Sequence, residues 1–174
     1  RPATPTLWNA WENGTSASAM DIAGTNPPDG SASLQISPQP RSWGWGIALN
    51  LKETDLSTDA SADLSAFANG TLNFQVRSTY PGLIEVGIYT GRGADQSGVD
   101  AYILLASGQY GYVNDGNWHQ VSIPVSAILA AAPKVDLSKV TSPFVIADRY
   151  ARTGKAQGSG IVSKIEVDAI HWAR

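Results

Sequence analysis

The chain of 174 residues contains no cysteine, which excludes a disulfide framework, a thiolate metal site and a thiol nucleophile. Charge is also scarce: 16% of residues are charged and the net charge is -3, so neither nucleic acid nor an anionic membrane surface is an electrostatic partner. A neutral partner fits this balance better. No apolar run approaches the length of a transmembrane helix. What the chain does have is 17 glycines, 10 prolines, 6 tryptophans and 6 tyrosines. Its apolar runs are short and bounded by turn residues, which is the punctuation of an all-β chain.

The length suits one domain with a sizeable core. Arg1-Pro2-Ala3-Thr4-Pro5-Thr6 has the composition of an extended linker, so residues 1–6 read as a linker remnant and 7–174 as a single domain. This suggests a module from a longer secreted polypeptide, or a processed mature form. Leu7 to Glu12 reads as a first strand and Ser33 to Ser37 as another. Leu72, Phe74 and Val76 alternate with Asn73, Gln75 and Arg77, while Ile84, Val86 and Ile88 alternate with Glu85, Gly87 and Tyr89. Tyr80-Pro81-Gly82 is expected to join these two strands as a hairpin. Further strands are expected over Ala101 to Ala106, Trp118 to Val125, Pro143 to Asp148 and Ile161 to Trp172, with short helical pieces at Leu64 to Ala68 and Ser126 to Ala132. Little helix and no fixed repeat favour an all-β sandwich of jelly-roll type, with two antiparallel sheets.

The stretch Arg41 to Leu51, R-S-W-G-W-G-I-A-L-N-L, places two tryptophans among glycines at the mouth of a strand. An indole offers a large flat apolar face that can stack on a flat partner. Both rings share the parity of Ile47, Leu49 and Leu51, the face expected to point inward. Trp45 is therefore the core residue, and Trp43 reaches a ligand only where the strand has ended or bulged by Gly44.

The order of features resembles a known family. W-E-N-G-T near the start, D-G-S-A-S-L-Q-I, the tryptophan-glycine stretch, G-N-W-H-Q-V-S-I-P-V and I-E-V-D-A-I-H-W at the end are similar to the galactose-binding-like jelly-roll carbohydrate-binding modules. Within that group, S-G-Q-Y-G-Y-V-N-D-G-N-W-H and P-F-V-I resemble non-catalytic modules of bacterial and marine β-glucan exohydrolases and agarases. The resemblance implies a module that keeps an attached, secreted bacterial glycoside hydrolase on a polysaccharide such as cellulose, mixed-linkage glucan or xyloglucan, with an agarose-like galactan as the alternative ligand. It also implies a structural calcium ion (Ca2+) at Glu12, the turn from Asp29 to Ser33, and Asp168. Asn13 stands where such relatives commonly carry an acid.

Sugar recognition needs aromatic faces for the C–H patches of pyranose rings, with amides, carboxylates or guanidinium groups for the hydroxyls. The loop candidates are Trp43, Tyr110, Tyr112 and Tyr150, with Asn114, Asp115, Arg149 and Arg152 nearby. A second candidate platform is the polar strand face of Gln75, Arg77, Glu85, Tyr89, Trp118 and Gln120. The rival class is a small hydrolase or polysaccharide lyase, the latter built on Tyr110, His119, Arg149 and His171. Both histidines read as packed residues instead, and no compact acid pair of glycosidase type is present. A purely structural sandwich is the third class, separated from the others by the exposure of Trp43, Tyr110 and Tyr112.

Overall fold

The computed structural model describes residues 7–12, 18–21, 28, 33–38, 44–51, 61–81, 83–91, 99–149 and 164–174. Trp43, Tyr150, Arg152, Asp29 and Asn13, all singled out above, lie outside the described residues. The described strands are β1 (Leu7–Glu12), β2 (Ser18–Asp21), β3 (Leu34–Pro38), β4 (Gly44–Asn50), β5 (Thr71–Ser78), β6 (Ile84–Thr90), β7 (Val99–Leu105), β8 (Trp118–Pro124), β9 (Val140–Arg149) and β10 (Ile165–Ala173). They form two five-stranded sheets: sheet I in the order β1-β4-β9-β6-β7, and sheet II in the order β2-β3-β10-β5-β8. Every pairing is antiparallel. Among the described residues one α-helix, α1 (Val125–Ala131), follows β8 and buries Val125 and Ile128, and 3-10 turns lie at Ser65–Phe67 and Leu137–Lys139. The all-β sandwich expected from the punctuation is the fold.

Alternation decides which side chains fill the space between the sheets. Sheet I supplies Ile47, Ile84, Val86, Ile88, Phe144 and Ile146, and sheet II supplies Ile36, Leu72, Phe74, Val76, Val121, Ile123 and Ile165. Phe74 of β5 meets Phe144 of β9 edge to face, with ring centroids 5.2 Å apart. Each such buried ring removes enough apolar area from water to stabilise the fold by about 1.5–3 kcal/mol. Trp45 is 2% exposed and belongs to this core, as parity requires.

The expected hairpin between β5 and β6 does not form. β5 pairs with β8 and β10, and β6 pairs with β7 and β9, so the residues around Tyr80 and Pro81 carry the chain from one sheet to the other. Alternation fixes the face of a strand and leaves its neighbour open. This crossing also separates the residues that were read as one polar platform. Gln75, Arg77, Trp118 and Gln120 lie on the outer face of sheet II, whereas Glu85 and Tyr89 lie on the outer face of sheet I, on the opposite side of the molecule.

Candidate functional site

The outer face of sheet I has small residues at its centre. One row across the strands reads Asn9, Ala48, Val145, Gly87 and Tyr102, and the next reads Trp11, Gly46, Ala147, Glu85 and Leu104. Ala48, Val145 and Ala147 face away from the inter-sheet core and are nonetheless buried. At Gly87 a Cβ would lie 1.7 Å from the Ala101 carbonyl oxygen, so only glycine lets β7 approach. Tyr102 stands directly opposite this glycine, where no side chain props its ring away from the sheet.

Around Tyr102 the large polar side chains of this face join. Arg149 donates from Nε to Glu85 Oε2 at 3.0 Å and from Nη2 to Glu85 Oε1 at 2.9 Å, and its backbone N–H donates to Oε2 at 3.0 Å. The guanidinium carbon lies 3.6 Å from the centroid of the Tyr102 ring, a stacked cation–π contact. Tyr102 in turn meets Tyr89, their centroids 5.9 Å apart and their hydroxyls sharing a hydrogen bond. Burial, with Tyr89 next, pushes the Tyr102 phenol above its ordinary pKa. Burial works against the charge of Arg149, but the bonds to Glu85 outweigh it and the guanidinium pKa is raised. Glu85 is 3% exposed in its side chain, against 27% for Arg149, so the carboxylate supports the guanidinium from beneath.

The outer face of sheet II is built differently. Asp21, Gln35, Glu166, Arg77 and Trp118 occupy one row across all five strands. Glu166 bonds Arg77 and accepts from Gln35 at 3.3 Å, while the Arg77 guanidinium sits 5.1 Å from the Trp118 ring centroid. In the neighbouring row Gln75 donates to Gln120 at 2.6 Å. Long side chains fill the centre of this face and bond mainly to one another.

Of the loop candidates, Tyr110 is exposed at 37% and holds a positive φ of 51°. Its carbonyl accepts from the Ser122 N–H at 3.0 Å, which places it beside β8, the last strand of sheet II, whereas Arg149 belongs to sheet I. Tyr112 is a correction: it is 2% exposed and belongs to the core, because the loop folds on itself through Gly108 N–H to Tyr112 carbonyl at 2.7 Å and turns the ring inward. Asn114 is occupied in the structure, donating to the Tyr80 carbonyl at 2.6 Å. Asp115 accepts from the Asn117 N–H at 2.9 Å and pairs with His119 at 2.8 Å. His171, expected to be packed, is exposed, with Nδ1 2.8 Å from the Ala169 carbonyl.

The expected calcium set lies only partly among the described residues, since Asp29 falls outside them. Glu12 belongs to sheet I, opposite Trp45. Asp168 belongs to sheet II, between the inward Val167 and a bulge at Ala169, and alternation turns it to the outer face. Ser33 is buried. Among the described residues no group of three acidic or histidine side chains stands ready for a metal.

Sequence reading named Tyr89 and Arg149 as contacts and included Glu85 in a platform, but it missed Tyr102. The signal was present: Tyr102 shares the parity of the polar Asp100, while Ala101 and Leu105 are buried in the core.

A two-sheet jelly roll with an aromatic and guanidinium cluster on one outer face is an arrangement suited to neutral sugar rings. The family model described as carbohydrate binding domain 30 matches residues 4–159. The chain belongs to this family. It is a β-sandwich carbohydrate-binding module, as the resemblance implied. Among solved structures, the family 30 module of a cellulosomal cellulase from Clostridium thermocellum has 19% identity and a TM-score of 0.66, covering 97% of this chain and 89% of that one. A family 11 module from the same organism, in complex with a β-1,3-1,4-mixed-linked tetrasaccharide, has 14% identity and a TM-score of 0.58, covering 94% and 86%. An exo-1,3/1,4-β-glucanase from a Pseudoalteromonas species has 13% identity and a TM-score of 0.57; the match covers 98% of this chain and 19% of that enzyme. At these identities the likeness is one of fold. No curated protein matches the chain.

Proposed function

We propose that this module is non-catalytic, binds a β-glucan chain on the outer face of sheet I, and so holds an attached, secreted glycoside hydrolase on its substrate. The observation that carries the reading is the stack of Arg149 on Tyr102, with Tyr89 bonded beside it. Rings supply the contact for pyranose C–H faces, and phenol and guanidinium groups supply hydrogen bonds for the hydroxyls. The mixed-linked tetrasaccharide of the family 11 neighbour and the cellulase and exoglucanase origin of the others support β-glucan over galactan.

The non-catalytic half of the proposal rests on the carboxylates. A glycosidase needs two of them across the scissile bond. Among the described residues the buried ones are tied down: Glu85 to Arg149, Glu166 to Arg77, and Asp148 to Tyr80. A structural calcium ion held by Glu12, the turn from Asp29 to Ser33, and Asp168 belongs to the proposal. Calcium should therefore raise the melting temperature of the wild type and not that of Asp168→Asn; an equal shift in the variant would remove Asp168 from the site.

The deciding experiment is affinity gel electrophoresis over mixed-linkage glucan, xyloglucan, a soluble cellulose derivative and agarose, with Tyr102→Ala alongside and reducing ends assayed in the same mixtures. Retention by the β-glucans, a loss of at least about tenfold in the variant and no new reducing ends are expected. Retention by agarose alone, or release of reducing ends, would overturn the reading.

A further inference from the structure

We infer that Glu85 is a positioning residue that makes the sheet I face selective for uncharged glycans over acidic ones, by neutralising Arg149 from below. The inference rests on the proposed ligand face and adds the charge class of the ligand. An unpaired arginine at a sugar site attracts carboxylates, because its planar fork matches theirs in two parallel bonds. Here the Nε–Nη2 side of that fork is already taken, and the charge on the remaining Nη1 end is balanced by Glu85. Nε and Nη2 of Arg149 both donate to Glu85, and the Arg149 backbone N–H donates to the same carboxylate.

The Glu85 side chain is 3% exposed, so it does not reach a ligand itself, and a uronate could take the Nε–Nη2 side of Arg149 only by leaving Glu85 buried without its cation. Such an orphaned buried charge is strongly unfavourable. One face of the guanidinium is also committed to the Tyr102 ring. The phenols of Tyr89 and Tyr102 are bonded to each other. The Glu85–Arg149 pair therefore sums to zero, one positive and one negative charge, while the exposed Asp100, opposite Tyr89 on the same face, adds a negative charge that also disfavours acidic ligands.

The second face provides an internal control. Glu166 pairs with Arg77 on sheet II, so Glu166→Gln changes the net charge of the module by the same amount as Glu85→Gln but on the opposite side. The experiment measures affinity for two soluble derivatives of one glucan chain, hydroxyethyl cellulose and carboxymethyl cellulose, at low and high salt. Wild type should prefer the neutral polymer and show little salt dependence on either. Glu85→Gln frees the guanidinium and should raise the acidic-to-neutral affinity ratio about tenfold, in a salt-sensitive manner. Glu166→Gln should not raise it, and Glu85→Gln/Arg149→Gln should abolish the gain.

A folded Glu85→Gln with an unchanged ratio, or an equal gain in Glu166→Gln, would overturn the role of Glu85 while leaving the β-glucan reading standing. Should Glu85→Gln not fold, the wild type still decides: steep salt dependence on carboxymethyl cellulose would overturn the inference, and its absence would support it. Wild type that binds neither polymer would overturn both readings.

Discussion

Tyr80 donates its phenol to Asp148 Oδ2 at 2.6 Å inside the sandwich. The donor sits where the chain passes from sheet II to sheet I, and the acceptor near the end of β9, so this bond ties the crossing segment to sheet I. The Tyr80 ring also packs edge-on against Trp45, centroids 5.6 Å apart. Tyr80→Phe keeps that packing and removes one donor from a buried carboxylate, which should cost about 2 kcal/mol in urea unfolding. Alkaline titration gives a second readout. Burial first, then Asp148, raises the Tyr80 phenol above its ordinary value of 10.0, and burial raises Tyr102 and Tyr112 likewise. Unfolded phenols ionise near their ordinary value while the folded ones keep their protons, so this part of the stability is intact below pH 10 and lost as pH rises above it. The decline should be shallower in Tyr80→Phe.

Trp118→Ala should separate stability from binding. The ring supports Arg77 on sheet II, on the side away from the Tyr102 cluster. Loss of this partly buried indole is expected to lower stability by about 2 kcal/mol and to leave β-glucan affinity within twofold of wild type, measured by calorimetry. A large loss of affinity with the fold intact would move the ligand to sheet II.

Asp115 should show itself in acid. Its carboxyl is held down at about 2 from an ordinary 3.8, first by the Asn117 N–H and then by His119. A depressed carboxyl stabilises the folded state above its unfolded pKa, and the contribution fades as pH falls through the folded one. The melting temperatures of wild type and Asp115→Asn should therefore differ at pH 5 and converge toward pH 2. Parallel curves over that range would mean that the Asp115 turn is not formed in solution.

Gly87→Ala should be among the most damaging single changes. Its Cβ would sit 1.7 Å from a backbone oxygen of β7, which no side-chain rotation relieves. A loss of about 3 kcal/mol is expected, with weaker glucan binding because Tyr102 is carried on the displaced strand. Circular dichroism melting and affinity gels report the two effects separately.

The sheets were legible where one residue type dictates one face. Trp45 reads as core because it shares parity with Ile47, and the alternating runs at Leu72 and Ile84 are strands as expected. The join between those runs was misread because parity carries no information about which strand lies alongside. The tyrosine loop shows the same limit: Tyr110 and Tyr112 are two residues apart around a glycine, yet one is exposed and the other buried, a result set by Gly108 and Gly111 at positive φ. The site cluster joins Glu85, Tyr89, Tyr102 and Arg149 from three strands, and only the register of β6 between β7 and β9 brings them to one place.

The position of β10 between β3 and β5 bears on how the module is made. Synthesis runs from the N-terminus, so β2 with β3 and β5 with β8 are available as two half-sheets before the strand that joins them exists. Until Ile165–Ala173 emerges, each half-sheet keeps an open edge able to recruit a foreign strand. A chain stopped before Ile165 is thus expected to aggregate instead of folding into a smaller module.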